Sequence, residues 1–363
     1  MPQPILYVAV TNHGFGHTAR TAAVVATIQE LCPEIVVIMV TSAPRWLLES
    51  YLHRQFIYRP RAFDIGVVQS DSITMDKAAT LKKLQHIKSR QAATIASEVS
   101  FIKQNRVGLI FADIPPLVAA IAQAAGVPCW MASNFGWDLI YRPWGGEFEA
   151  IADWISDCFS TCDRLFRLPF NEPMSAFPVI EDIGLTGGRP QYPADELRQK
   201  LNLTAPPEKT VLLTFGGLGL AQIPYEGLQR FSDWQFLTFD QAAPELPNLV
   251  KISGHHYRPV DLMPLCSRVV SKPGYGTFAE ACQLGIPIIS IEREGFAEAP
   301  LLINGLREYA HHLVINGDQF YDGSWAFLEQ DLTPPRSSTP LPTNGNEAIA
   351  RSVVDYFQSI GAL

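Results

Sequence analysis

A histidine held in a glycine turn at the end of an apolar strand is placed to move a proton. The run Asn12-His13-Gly14-Phe15-Gly16-His17-Thr18-Ala19-Arg20 follows the strand-like segment Ile5–Val10 and leads at once into a helical pattern. Open α/β sheets bind their ligands at this edge. Imidazole titrates near neutrality, so His17 suits a general base that takes the proton of a hydroxyl as it attacks a carbon. Such a base needs a carboxylate to fix its tautomer and stabilise the imidazolium. Asp113 follows the strand-like run Val107–Ala112 and so reaches the same sheet edge. It has a second reading, as an N-cap ahead of Pro115-Pro116. His13 reads either as a loop-shaping residue or as a second catalytic group.

The same loop also fits the GxGxxA dinucleotide fingerprint, in which glycines bring the backbone close to a phosphate at a helix N-terminus. That reading requires an acid after the next strand to hold a ribose. Val36–Val40 is followed by Thr41-Ser42-Ala43, which disfavours a nicotinamide site.

A second set of groups lies beyond residue 210. Val211–Phe215 runs into Gly216-Gly217-Leu218-Gly219, and Val269-Val-Ser-Lys272-Pro-Gly274-Tyr-Gly276-Thr277-Phe-Ala-Glu280-Ala281 has the order strand, glycine loop, hydroxyl, helix. Amides exposed at that helix start, with Thr277 as a further donor, would hold a diphosphate, and Lys272 adds a positive charge. Glu280, one turn on from Gly276, could accept from ribose hydroxyls or complement the helix dipole. Glu298, beyond the next strand, could accept from sugar hydroxyls or be a solvated loop acid. No DxD pair occurs, so neither a metal nor another cofactor is expected. Asn134 and Asp138, with Trp137 and Tyr141, follow a strand-like segment and could form an acceptor pocket; Tyr141 reads as core. The basic residues Lys82, Lys83, Lys88 and Arg90 read as a solvated face, or as a contact for an anionic acceptor or membrane surface.

These groups need rigid elements to place them. Apolar, β-branched runs alternate with helical patterns throughout, the arrangement of parallel sheets covered on both faces. Strands are expected at Ile5–Val10, Ile35–Val40, Phe56–Tyr58, Val107–Ala112 and Pro128–Ala132. Others are expected at Val211–Phe215, Gln235–Phe239, Leu249–Ile252, Arg268–Ser271 and Ile286–Ile291. At 363 residues the chain suits two domains. Residues 1–184 would form a first domain, which carries His17, and 191–345 a second, which carries the diphosphate-type glycine loop. Residues 346–363 would form a helix returning to the first. The glycines and prolines at 184–190 mark the linker. Net charge is −8, and its acidic excess falls late: 16 basic and 17 acidic residues up to 190, then 12 and 19. This disfavours a general nucleic-acid binder. Six cysteines without a CxxC pair, a strand-like N-terminus and no long apolar run suit a cytoplasmic protein with reduced thiols and at most peripheral membrane contact.

Lys272–Ala281 resembles the donor-binding segment of nucleotide-sugar glycosyltransferases of GT-B fold, where plant members carry His-Cys-Gly-Trp-Asn-Ser-x-x-Glu-Ala. The resemblance implies two doubly wound Rossmann-like domains facing across a cleft. Lys272 takes the place of the diphosphate-contacting histidine, Glu280 that of the ribose-binding glutamate, and Glu298 falls near the acid that holds the donor sugar. His17 and Asp113 match the base and the aspartate that orients it. A narrower resemblance is to the GT-B-like N-terminal region of plant L-arabinokinases and its stand-alone bacterial relatives. It rests on His13–Arg20, the segment 69–76, Asn134–Tyr141, Leu185–Gly188 and Lys272–Ala281. The sugar-kinase half is not expected here. The implied reaction is inverting transfer from a nucleotide-sugar donor to a small-molecule or lipid-linked hydroxyl acceptor. An epimerase, a phosphorylase or a non-catalytic nucleotide-sugar sensor would suit the same fold.

Overall fold

The structure, a computed structural model, describes residues 4–70, 74–217, 219–220 and 222–363. Asp71, Ser72 and Ile73 of the quoted segment 69–76, and Leu218 of the second glycine loop, lie outside the described residues.

The first unit is built on β1 (Ile5–Val10), β2 (Val36–Val40), β3 (Ile57–Arg59), β4 (Leu109–Asp113), β5 (Cys129–Ser133), β6 (Arg164–Arg167) and β7 (Ile180–Asp182). They form one parallel sheet in the order β3-β2-β1-β4-β5-β6-β7. Its helices are α1 (Gly16–Leu31), α2 (Arg45–Glu49), α3 (Lys77–Gln104), α4 (Leu117–Ala125), α5 (Trp137–Tyr141) and α6 (Glu147–Phe159). β1 and β4 are buried almost throughout, which explains their unbroken apolar composition. α1 is buried around most of its circumference, and His17, Arg20, Val24 and Ile28 fall along one side of it.

The second unit repeats the plan with β8 (Thr210–Thr214), β9 (Gln235–Thr238), β10 (Leu249–Lys251), β11 (Arg268–Ser271), β12 (Ile288–Ile291) and β13 (His312–Ile315). Their order is β10-β9-β8-β11-β12-β13, again parallel. The helices are α7 (Ala194–Lys200), α8 (Pro259–Leu262), α9 (Tyr275–Leu284), α10 (Glu298–Tyr309) and α11 (Gly317–Tyr321). Its core gathers Phe236, Phe320, Trp325 and Phe327 beneath the sheet strands. In both sheets the strand order reverses beside the first strand, between β1 and β4 and between β8 and β11. Such a reversal opens a crevice at the strands' C-terminal ends.

The last helix, α12 (Gly345–Ser359), belongs to the first unit and packs on α1. The Tyr356 hydroxyl donates to the Gly108 carbonyl at 3.0 Å, and Phe357 fills the space over Gly108, where a Cβ would meet its ring at 2.8 Å. The chain leaves the first unit between Gly187 and Gly188 and returns between Leu341 and Pro342. Leu185 N donates to Pro342 O, and Gly345 N to Leu185 O. A Cβ on Gly345 would lie 2.2 Å from the Gly184 carbonyl, so these two segments run too close for a larger residue.

Three strands escape the sequence reading. β6 carries arginine at both ends, and Arg164 lays its guanidinium over the Trp130 and Phe166 rings, so a polar pattern hides a strand. β7 has only three residues, and β13 only four. β4 begins at Leu109 rather than Val107 and ends on Asp113, which makes that carboxylate part of the strand.

Candidate functional site

The reversal between β1 and β4 places two loops side by side. α1 starts at Gly16, so His17 stands in its first turn, and Asp113 ends β4. His17 Nδ1 lies 2.8 Å from Asp113 Oδ1, both residues being buried. Arg20, one turn along α1, meets the same carboxylate with both edges of its fork. Nε reaches Oδ2 at 2.6 Å and Nη2 reaches Oδ1 at 2.7 Å. Thr21 adds a hydroxyl donor to Oδ2 at 3.0 Å. Asp113 does not cap α4, whose N-cap is Pro116. The residue after Asp113, Ile114, is held at φ +49°, a region that β-branched residues rarely enter, and is wholly buried. The strain is local to the site and is held there by the packing around it.

The imidazole faces both the carboxylate and the guanidinium through Nδ1. Arg20 Nη2 lies 3.0 Å from His17 Nδ1, 2.7 Å from Asp113 Oδ1 and 3.1 Å from Ser133 Oγ. A hydrogen on Nδ1 would be donated to the carboxylate. Burial would raise the Asp113 carboxyl, but the charges of Arg20 and His17 and the hydrogen bonds from both hold it well below the usual carboxylate range. It stays ionised at any ordinary pH.

Asn134 joins this cluster, its Oδ1 accepting from Arg20 Nη1 at 2.9 Å. Asp138 does not. It accepts from Ser156 at 3.1 Å and lies near Glu172, which accepts from the Gly136 amide and is pushed up to about 7 by burial. The aromatic residues are wall: Trp137 lies 6.1 Å from His17, centroid to centroid, and stacks on Tyr141, which is buried core. His13 accepts from the Val67 amide, and a Cβ on Gly66, at φ +55°, would collide with its ring. Its visible role is to shape that loop. Lys82, Lys83 and Arg90 are exposed on α3.

Two groups here escape sequence reasoning. Arg20 stands three residues after His17 on the face that buries Val24 and Ile28, and a charged residue at that register was the available signal. Asp64 lies in a loop with no motif. It is buried, takes a hydrogen bond from Thr11, and its Oδ1 meets no partner. It borders a narrow cavity with Leu84, Ile87, Trp137, Tyr141 and Trp154. Burial pushes its carboxyl up to about 8; the indole of Trp137 opposes the shift, and the charge of Asp113 adds to it.

The second unit assembles its groups at its own reversal. Lys272 follows β11 directly and reaches toward the loop after β8. A Cβ on Gly216 would lie 3.5 Å from Lys272 Cε and 3.9 Å from Nζ, and one on Gly274 would lie 4.0 Å from Nζ. The ammonium thus stands between the two glycine loops. Gly217 follows in the first of these and is exposed. Gly276 and Thr277 lie in the first turn of α9, with Gly274 as its N-cap. Burial pushes Lys272 down to about 8, helped by the charge of Arg293 and opposed by that of Glu298, the buried first residue of α10. Glu280 is buried on α9, and its Oε1 accepts from the Gly188 amide at 3.0 Å. Among the described residues no group of His, Cys, Asp and Glu is arranged to hold a metal, and no helix is long and apolar enough to cross a membrane. All six cysteines are free thiols.

No protein-family model matches the chain. It is 30% identical over 336 residues to the L-arabinokinase of Arabidopsis thaliana, covering 89% of this chain and 32% of that protein. The chain therefore spans about a third of the length of that curated relative. Among solved structures it resembles Arabidopsis thaliana UGT89C1, complexed with quercetin (TM-score 0.62) and with UDP-L-rhamnose (TM-score 0.59). Identity is 13% in both; 98% of this chain and 94% or 95% of the other are covered. CalG4, the calicheamicin glycosyltransferase, matches at TM-score 0.59 and 16% identity over 98% of this chain and 95% of its own. The two parallel sheets of this chain are those of the GT-B fold that these glycosyltransferases share.

Proposed function

We propose that the protein is a nucleotide-sugar glycosyltransferase with His17 as its general base. The observation that carries this reading is the His17–Asp113 pair at 2.8 Å, at the sheet reversal of the first unit. Nε2 takes the proton of an acceptor hydroxyl as its oxygen bonds to the anomeric carbon. The carbon–oxygen bond to the diphosphate breaks, and its electron pair leaves with the nucleoside diphosphate. Attack opposite the leaving group inverts the anomeric centre. Asp113 keeps the imidazole in the required tautomer and stabilises the imidazolium. Lys272 and the amides around Gly274, Gly276 and Thr277 offset the charge that grows on the leaving group. Gly216 and Gly217 line the neighbouring loop, Glu280 takes the ribose and Glu298 the donor sugar. Asn134 holds Arg20 and so serves the base from behind. The UDP-L-rhamnose complex of a protein of this fold supports a nucleotide-sugar donor.

The test is a thermal-shift screen of nucleotide sugars, followed by donor hydrolysis and transfer with the ligand that binds. A ligand at 100 times its Kd adds about 2.7 kcal/mol of stability, a readily measured shift. Absence of any shift across UDP-, GDP-, ADP- and dTDP-sugars would end this reading. Binding without hydrolysis or transfer would make the protein a sensor.

A further inference from the structure

Lys272 is not the only cation at the sheet edge of the second unit. Ser271 of β11 pairs with Ser290 of β12, so Lys272 and Arg293 leave neighbouring strands at the same end. Arg293 follows β12 by two residues, is 8% exposed, and lays its guanidinium 3.9 Å from the Phe296 ring centroid. The charge of Arg293 opposes that of Lys272, and the charge of Glu298 favours it. A unit with an acidic excess thus brings Arg293 to the sheet end at which Lys272 stands between two glycine loops. Two like charges brought to one sheet edge suit an anion that touches both. A guanidinium fork suits two phosphate oxygens, whereas an ammonium acts as a point charge.

We infer that Arg293 is a second phosphate-binding residue, acting with Lys272 on the diphosphate of the donor and on the leaving group. This rests on the donor reading above. The stacking on Phe296 holds the guanidinium in one orientation, so less freedom is lost when an anion arrives.

The test titrates UDP, GDP and ADP, their nucleosides, and inorganic pyrophosphate against the parent, Arg293→Gln and Arg293→Lys. Pyrophosphate probes the site without regard to the base. The inference expects Arg293→Gln to weaken pyrophosphate and the preferred diphosphate about 10-fold or more, the scale of charge-assisted hydrogen bonds, with nucleosides nearly unaffected. Arg293→Lys should recover part of the loss, which a purely structural arginine would not show as a ligand-specific effect. Combined with Lys272→Met, the losses should be non-additive, because both side chains serve one anion. Equal diphosphate affinity in Arg293→Gln, or equal losses for nucleoside and diphosphate, overturns the inference alone. A parent that binds none of the diphosphates overturns the donor reading with it.

Discussion

The guanidinium of Arg20 holds both oxygens of Asp113, at 2.6 and 2.7 Å, and so neutralises the carboxylate on which His17 depends. The three side chains form one buried unit rather than a simple dyad. Removing the arginine strands an ionised carboxylate, and breaking a buried pair in this way costs about 3–5 kcal/mol. Arg20→Met is expected to lose stability on that scale in urea unfolding. Arg20→Lys, which keeps charge but not the fork, should lose less. Parent-like stability in Arg20→Met would show that the pair contributes nothing net.

His17→Ala is expected to leave donor affinity nearly intact while turnover falls about 100-fold or more, the usual contribution of a general base. Asp113→Asn should also lower turnover, because a neutral amide no longer favours the Nδ1–H tautomer. Single-turnover kinetics beside donor titration separates the two quantities. Unchanged turnover in His17→Ala would remove it from the mechanism.

Asp64 ties stability to pH. Its carboxyl is pushed up to about 8 in the native protein, whereas an unfolded aspartate titrates near about 3.9. Below pH 3.9 both states hold the proton, so the contribution is fully present. Between the two values only the native state holds it, and stability falls as pH rises, by at most about 1.4 kcal/mol per unit. Above about 8 the contribution is lost. The difference in unfolding free energy between Asp64→Asn and the parent should therefore grow with pH across this window. A constant difference between pH 4.5 and 7.5 would show that Asp64 is ionised in the native state.

How much of this was legible in the sequence depends on periodicity. β1, β4, β8 and β11 read directly from their apolar runs, and with them the positions of His17, Asp113, Gly216 and Lys272 at strand ends. β6 did not, because Arg164 and Arg167 bound a buried Leu-Phe pair. Arg20 was visible but reads as an ordinary helix residue until the opposing carboxylate is placed, and Asn134 meets the cluster through Arg20. Asp138 illustrates the converse. Its neighbourhood in sequence suggested a pocket, but the start of α5 turns it toward Ser156. Spacing along one helix is local information; the partner across the sheet is not.

Glu280 carries a duty that its motif does not reveal. Its Oε1 accepts from the Gly188 amide, where the chain enters the second unit. Glu280→Ala should release that amide and speed its hydrogen exchange, and should weaken nucleoside diphosphate binding by about 1.5–3 kcal/mol. Faster exchange with unchanged affinity would make Glu280 a purely structural anchor for Gly188.

Diphosphate binding should fade as pH rises past the point where Lys272 loses its proton. Burial and the neighbouring Arg293 push that ammonium down to about 8, against the pull of Glu298. The sign follows from which form the ligand prefers. A diphosphate favours the charged lysine, so above about 8 binding must first return a proton to it. The affinity then falls by up to about tenfold per pH unit, and binding takes up a proton. The terminal phosphate, with an ionisation near about 6, is already fully charged there and contributes no slope. Nucleosides, which carry no phosphate, should bind equally at pH 7 and 8.5. Lys272→Met should bind the diphosphate more weakly at neutral pH, because the cation is gone, and should show little further loss at pH 8.5. Screening over about 8 Å at physiological salt means that the parent's advantage over this variant should shrink as salt is added. Calorimetry in two buffers of different ionisation enthalpy measures both the affinity and the proton uptake. Proton uptake at pH 8.5 in the parent that persists in Lys272→Met would place the titrating group elsewhere.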